Sequence, residues 1–191
     1  MKLLYIDACI RREQSRTKRI AEPMVSALAA RYDIQRICLD ELSLSPVGRS
    51  LLEARYRGEI DGRDLAMAEC VRDADLILIA APFWDMSFPS VLKVFFERCS
   101  ILGVTFLNEE TRCVGNCRAK KMIYVTTRGM DLSTGEPLEQ ATPYLRALSH
   151  LWGIGELCVI SAQNLDYVSE SKAEKKIQAA IEEGLALIEH L

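Results

Sequence analysis

Apolar runs of strand length alternate with helical periodicities along the whole chain. Residues 2–7 (KLLYID) predict a first strand, and residues 33–39 (DIQRICL) alternate as a second. Between them, Ile20, Met24, Val25, Leu28 and Ala29 share one face of a helix over residues 16–32, at three- and four-residue spacing. Pro23 inside that stretch predicts a kink or a later helix start, because proline has no amide hydrogen for the helix ladder. A loop containing Ser and Pro leads into a helical region over 50–72, interrupted at 58–62. Residues 75–81 (DLILIAA) give the clearest strand, and their unbroken apolar run requires burial on both faces. An amphipathic helix follows Pro89 over 90–102, then a polar, irregular stretch over 104–118 that reads as a hairpin or surface loop. Residues 121–127 (KMIYVTT) are a fourth strand, 143–152 lie in a helix, and 156–162 (ELCVISA) are a fifth strand. A helix over 170–191 closes the chain, with Ala173, Ile177, Ala180, Ile181, Leu185 and Ile188 on its apolar side.

Five strands alternating with helices predict an α/β fold, a doubly wound five-stranded parallel sheet with helices on both faces. There is no repeat or linker, so residues 1–191 read as a single domain. At this length roughly 70% of the unfolded surface can be buried, and the core needs no metal or disulfide. Hydrophobic residues make up 49% and charged residues 27%, a globular balance that excludes a disordered chain. Twenty-four Lys and Arg against 27 Asp and Glu leave a net charge of −3, which removes the broad attraction that non-specific nucleic-acid binding requires. No apolar run approaches the ~20 residues of a membrane span. The N-terminal MKLLYIDAC reads as a buried strand and not as an export signal, so the expectation is a cytoplasmic protein without membrane or nucleic-acid partners. Seven cysteines, an odd number, then read as reduced thiols.

Open sheets of this kind bind ligands beyond the carboxyl ends of the strands, where the winding reverses. That directs attention to residues 8–17, 82–89 and 128–136. The first segment holds no glycine, and none occurs before Gly48, which excludes both the glycine-rich dinucleotide fingerprint and the phosphate loop of nucleotide hydrolases. Ser15 and Thr17 stand where a helix should begin. They read either as an N-cap or, with the free N–H groups there, as a phosphate site. Arg11, Arg12, Arg16, Lys18 and Arg19 read as a solvated face that raises the local positive potential. The second segment sets Phe83, Trp84 and Phe88 between Pro82 and Pro89, side chains suited to a flat ring system, to capping the core or to a subunit interface. In the third, Gly129 follows the fourth strand, where backbone amides can approach a ligand.

Three blocks taken together carry a resemblance: APFWDMSFPSVLK at 81–93, VTTRG at 125–129, and TPYL with WGI between 142 and 154. In these the chain resembles the FMN-dependent NADH:quinone reductases and azoreductases, over most of its length. The resemblance implies a flavodoxin-like form of the doubly wound sheet, bound FMN, and NADH or NADPH as reductant. A quinone or azo compound would accept two electrons, and a homodimer would complete the open face of the site. No protein side chain is implied as a catalytic residue, since the flavin carries the chemistry. By position, Ser15, Arg16 and Thr17 match the loop that holds the FMN phosphate, with Cys9 near the cofactor. Pro82, Phe83, Trp84, Asp85 and Met86 match the loop along the flavin ring. Thr127, Arg128, Gly129 and Met130 match the loop at its pyrimidine end, where donor amides stabilise negative charge on the reduced ring. Three places depart from the family pattern. Ala8 and Cys9 replace a serine pair, Asp85 stands where asparagine is usual, and Met130 replaces a glycine. The alternatives are a flavodoxin-like electron carrier and a dimer that binds FMN weakly.

Little else competes. His150 and His190 are far apart in presumed helices, which does not favour a histidine triad or a zinc-hydrolase site. Cys113 and Cys117 form C-x3-C without a clear second pair, so no metal is expected. Cys38, Cys70 and Cys158 read as inert thiols on apolar elements. The aromatic-bearing segments 83–88 and 144–152 are the candidates for the open face and the subunit contact.

Overall fold

The computed structural model describes residues 1–191. The chain runs Lys2–Asp7 (β1), Arg16–Leu28 (α1), Asp33–Cys38 (β2), Leu39–Leu42 (α2), Arg49–Tyr56 (α3), Gly62–Asp73 (α4) and Leu76–Ala80 (β3). It continues through Ser90–Cys99 (α5), Phe106–Asn108 (β4), Cys113–Gly115 (β5), Lys121–Thr127 (β6), Ala141–Trp152 (α6), Glu156–Ala162 (β7) and Glu170–Glu189 (α7). Five strands form one parallel sheet in the order β2-β1-β3-β6-β7, and β4 pairs with β5 in a separate antiparallel hairpin. The polar stretch over 104–118 is thus a hairpin flanked by loops.

Winding starts at the centre, passes outward to β2, then crosses back over β1 to β3, so the direction switches between β1 and β3. β3 is buried at every position, as its apolar run requires. Its residues alternate between two cores. Ile77 and Ile79 join Val71 of α4, Phe95 and Phe96 of α5, and Leu145 and Trp152 of α6 on one face. Leu76 and Leu78 join Ile20, Met24 and Val25 of α1 and Ile177 of α7 on the other. Each such side chain taken wholly out of water contributes about 1.5–3 kcal/mol, so the two cores fix the layers on either side of the sheet.

Helix ends follow from local chemistry. The Asp61 carboxylate accepts the N–H groups of Arg63 and Asp64, which starts α4. One polar residue inside the helical layer was not legible in the pattern. Asp64 is fully buried and accepts from Arg98 Nε at 2.6 Å and Arg55 Nη2 at 2.9 Å, tying α3, α4 and α5 together.

Several expectations are corrected. Helix α1 does not start late at Pro23 but at Arg16, and it is shorter than 16–32, ending at Leu28. Ile20, Met24 and Val25 anchor it to the sheet on both sides of the proline, and that burial outweighs the one ladder bond a proline removes. Leu39 does not extend β2 but opens the short helix α2. Phe88 and Trp152, both read as candidates for the open face, belong to the core. Phe88 packs edge-on to Phe96 at 5.7 Å and Trp152 edge-on to Phe96 at 5.8 Å.

Candidate functional site

The parallel ladder does not stop at the strand ends. Ala8 N–H donates to Ala80 O, Ala81 N–H to Val125 O, Phe83 N–H to Thr127 O and Arg128 N–H to Ala162 O, all between 2.8 and 3.1 Å. The loops after β1, β3 and β6 therefore leave the sheet side by side, at the switch point and beyond it. A polar cleft opens between them, lined by Arg11, Gln14, Ser15, Arg16, Pro82, Phe83, Trp84, Thr127, Gly129 and Asp166.

The wall from the first loop is the start of α1. Ser15 caps it, its Oγ accepting Lys18 N–H at 3.3 Å while its own hydrogen stays available to donate. The backbone N–H groups of Arg16 and Thr17 have no acceptor within the protein. Two free amides, a hydroxyl and the positive end of a 13-residue helix suit an anion. Arg16 donates to Asp166 Oδ1 at 2.7 Å. Arg11 lines the cleft with no ion-pair partner. The structure shows the N-cap, and a capping hydroxyl that accepts can still donate, so the two readings of Ser15 do not compete.

The second loop makes a tight two-residue turn. Trp84 N–H donates to Ser87 O at 3.0 Å and Ser87 N–H to Trp84 O at 2.9 Å, with Asp85 at φ 48° and Met86 at φ 62° between them. Positive φ at both central positions is the type I′ geometry. It leaves the N–H groups of Asp85 and Met86 without protein acceptors. Trp84, Asp85 and Met86 are exposed, whereas Phe83 is half-buried beside Thr127.

In the third loop, Gly129 and Met130 also keep free N–H groups, while their carbonyls accept from Asp166 and Asn164. A side chain at 129 would place its Cβ 2.0 Å from Asp166 Oδ2, so glycine makes room for the Asp166 carboxylate where it meets Arg16. The Arg128 side chain does not reach the cleft. It is fully buried, donates to Leu132 O at 3.0 Å and Thr134 Oγ1 at 2.9 Å, lies 3.9 Å from the Glu139 carboxylate, and sits over the Phe83 ring. Burial draws its guanidinium below the usual pKa range, with Glu139 opposing.

Two more of the expected residues lie beneath the surface. Cys9 is buried, its thiol directed at Ala80 O and its N–H at Asp7 Oδ1, and burial pushes its pKa well up. Thr17 is fully buried with its hydroxyl against that of Thr127. The cleft thus brings together Ser15, Arg16, Pro82, Phe83, Trp84, Thr127 and Gly129, with Asp85, Met86 and Met130 on its rim loops and Cys9, Thr17 and Arg128 behind its walls. Sequence reasoning missed Gln14, which has no motif of its own, and Asp166, which sits in a loop after the last strand. In the sequence Arg11 reads only as part of a charged face. No group of three or more His, Cys, Asp or Glu side chains gathers into a metal-binding cluster.

Fold and site together define a doubly wound α/β protein with a polar cleft at its switch point, one wall of which is the start of a helix with free amides. A family model described as a flavodoxin-like fold matches residues 1–187, and the chain belongs to that family. An FMN-dependent NADH:quinone oxidoreductase 2 of Clostridium acetobutylicum is 32% identical over 178 residues, covering 88% of this chain and 89% of the relative. An FMN-dependent NADH:quinone oxidoreductase of Stenotrophomonas maltophilia is 28% identical, covering 91% and 90%. Among solved structures, an azoreductase from Bacillus anthracis superposes with a TM-score of 0.86 over the whole of both chains, at 19% identity. An FMN-dependent NADH-azoreductase from the same species, in complex with FMN, gives 0.79 over 97% of this chain and 98% of that one, also at 19% identity. These two likenesses establish the fold.

The residues present fit FMN. A phosphate matches the free amides, hydroxyl and arginines at the start of α1, and the acceptor edge of a flavin matches the free amide of Gly129 in the cleft and those of 85, 86 and 130 on the loops beside it.

Proposed function

We propose that the protein is an FMN-dependent NAD(P)H oxidoreductase that reduces quinones or azo compounds by two-electron transfer. The single observation that carries this reading is that three loops line one polar cleft beside an exposed indole, with free backbone N–H groups at Arg16 and Gly129 in its wall and at Asp85, Met86 and Met130 on the adjoining loops. Bound FMN would supply a two-electron relay, taking hydride from the nicotinamide and passing it to the acceptor. For a quinone the balance is NAD(P)H + H⁺ + quinone giving NAD(P)⁺ + hydroquinone; cleaving an azo bond to two amines takes two such rounds.

The chain's own part is binding and orientation. Ser15, with the amides of Arg16 and Thr17, would hold the phosphate. The amides of Asp85, Met86, Gly129 and Met130 would face the ring edge where negative charge gathers. Phe83 and Trp84 would flank the ring, and Arg128 from behind holds Phe83 and the 128–134 loop in place.

A homodimer is part of the reading. Met86, Met130 and Leu138 are 37%, 38% and 57% exposed on the rim loops, an apolar margin that a second subunit would cover while leaving the Trp84 face open to the acceptor. No helix is long and apolar enough to cross a membrane, and all seven cysteines are unbridged. Unbridged thiols suit the cytoplasm, which is the compartment we assign.

The test is an absorption spectrum of the purified protein under anaerobic conditions, before and after NADH, without acceptor. A flavin band that bleaches, and returns on adding a quinone, is the expected result. A protein that takes up no FMN would overturn the reading. A protein that bleaches with NADH but turns over no quinone or azo compound would point to an electron carrier.

A further inference from the structure

Trp84 is the shared wall of two cavities. On one side lies the polar cleft. On the other is a groove of about 760 Å³ lined by Trp84, Asp85, Phe88, Lys93, Gln140 and Tyr144, within the roughly 300–1,000 Å³ range of small-molecule sites. The groove offers aromatic surface from Trp84 and Tyr144. Its charges are unequal in their freedom. Lys93 is committed, its Nζ bonded to Glu97 one helical turn along α5 and lying 5.4 Å from the Tyr144 ring centre. Asp85 is exposed and its carboxylate makes no hydrogen bond and no ion pair. What the groove presents is therefore an unpaired carboxylate next to an exposed indole, with the one ammonium held at its far side between Glu97 and the Tyr144 ring.

Across Trp84 the sign reverses. Arg12, Arg16, Lys18 and Arg19 pair with Asp40, Asp166, Glu13 and Glu174, and Arg11 is the cation of this stretch left without a partner. The two sides of the indole are thus polarised, an uncompensated cation facing the polar cleft and an uncompensated anion facing the groove.

We propose that Asp85 is a specificity-determining residue that sorts electron acceptors by charge: with the acceptor ring in the cleft against the flavin, its substituent reaches past Trp84 into the groove, which takes a cationic substituent in preference to a sulfonate or carboxylate. This rests on the reductase reading above and names the substrate class of that same site. An aromatic face beside a carboxylate is the pairing that recognises an aromatic cation, through the ring quadrupole and through Coulomb attraction. Because the carboxylate is exposed, salt screens its effect, and this gives the proposal a second signature. The substituent takes no part in the redox step, in which the quinone ring receives two electrons and two protons whatever it carries.

The experiment uses FMN-loaded protein, NADH and three quinones of one ring system: unsubstituted, with a sulfonate, and with a quaternary ammonium group. kcat/KM is measured for each at low and high salt, in wild type and in Asp85→Asn. Asparagine keeps the side-chain shape and tolerates positive φ, so the turn and its amides are retained. Expected is the order cation, neutral, anion in wild type. In Asp85→Asn the cation-to-anion ratio falls about tenfold, equivalent to about 1.4 kcal/mol, and high salt narrows the wild-type ratio in the same sense. The ratio is the readout because a change in the flavin common to all three acceptors cancels in it. A second readout needs no turnover: a non-reducible aromatic cation quenches the Trp84 fluorescence at lower concentration than its sulfonate counterpart, Trp152 being buried in the core. Turnover with an unchanged ratio, or equal quenching by the two ligands, overturns the role of Asp85 alone. Absence of turnover with all three quinones overturns the reductase reading and this proposal with it.

Discussion

Thr17 and Thr127 are 110 residues apart in sequence, yet their hydroxyl oxygens lie 2.6 Å apart. The first stands in the opening turn of α1 and the second at the last position of β6, so one hydrogen bond joins opposite walls of the cleft. Replacing Thr17 by Val strands the Thr127 hydroxyl and should cost about 1 kcal/mol of stability. Thr17→Val with Thr127→Val together should cost less than the sum of the two single changes. Urea unfolding of the four proteins checks this, and strict additivity would show that the bond contributes nothing.

Ser15 caps α1, and the phosphate-donor role proposed for it separates from the cap by ligand. Ser15→Ala should lower stability by about 1 kcal/mol through the cap. It should also weaken FMN binding about tenfold, because a hydrogen bond to a charged group contributes roughly 1.5–3 kcal/mol. Riboflavin, which lacks the phosphate, should lose little. Flavin fluorescence titrations with both ligands make the comparison; equal losses would remove Ser15 from the phosphate site.

Arg128 is expected to matter for the fold around the cleft more than for contact with any ligand. Arg128→Met removes two hydrogen bonds and leaves the Glu139 carboxylate buried without its cation. Such a loss costs about 3 kcal/mol or more. Adding Glu139→Gln should recover part of it, since the stranded charge is then gone. Denaturation midpoints of the single and double variants decide, and a single variant as stable as wild type would contradict the assignment.

The thiols should divide sharply toward alkylating agents. Cys113 is exposed, whereas burial raises the pKa of Cys9 and Cys99 far above the ordinary thiol value and pushes Cys117 up to about 12. At pH 8, iodoacetamide followed by mass spectrometry should label Cys113 first and leave those three protected until the protein unfolds. The same raised values carry a linkage consequence. Above about pH 8.5 the unfolded chain releases thiol protons that the folded protein retains, so stability should decline as the solution becomes more alkaline. Cys9→Ala should soften that decline; an identical profile would show that Cys9 does not contribute to it.

Much of this was legible in the residues, for reasons that differ from one place to another. The strand cores were plain because a parallel strand covered on both faces must be apolar throughout, and LILIA has no competing reading. The cleft was found because topology alone directs attention to the ends of β1, β3 and β6. Side-chain direction was less accessible. Phe83, Trp84 and Phe88 look alike in sequence, but the type I′ turn after Trp84 sends Phe88 down against Phe96 and leaves Trp84 outside. Arg128 sits in a motif that reads as a ligand loop, and only tertiary packing reveals that its charge is turned inward to Glu139. Asp166 was invisible because its pairing with Arg16 spans 150 residues and depends on Gly129 making room.

The continuation of the strand ladder into the three loops bears on how such a protein can diversify. With Ala8, Ala81, Phe83 and Arg128 already bonded across to their neighbours, the backbone around the opening has little freedom left to adjust. The variability available to a descendant then resides in single side chains that project from that fixed frame, among them Arg11, Trp84, Asp85, Met86 and Met130. Exchanging one of them alters the chemistry of the opening without rebuilding a loop. A lineage can therefore move between partner molecules by point mutation alone, which makes insertions and deletions in these segments the rarer route to a new preference.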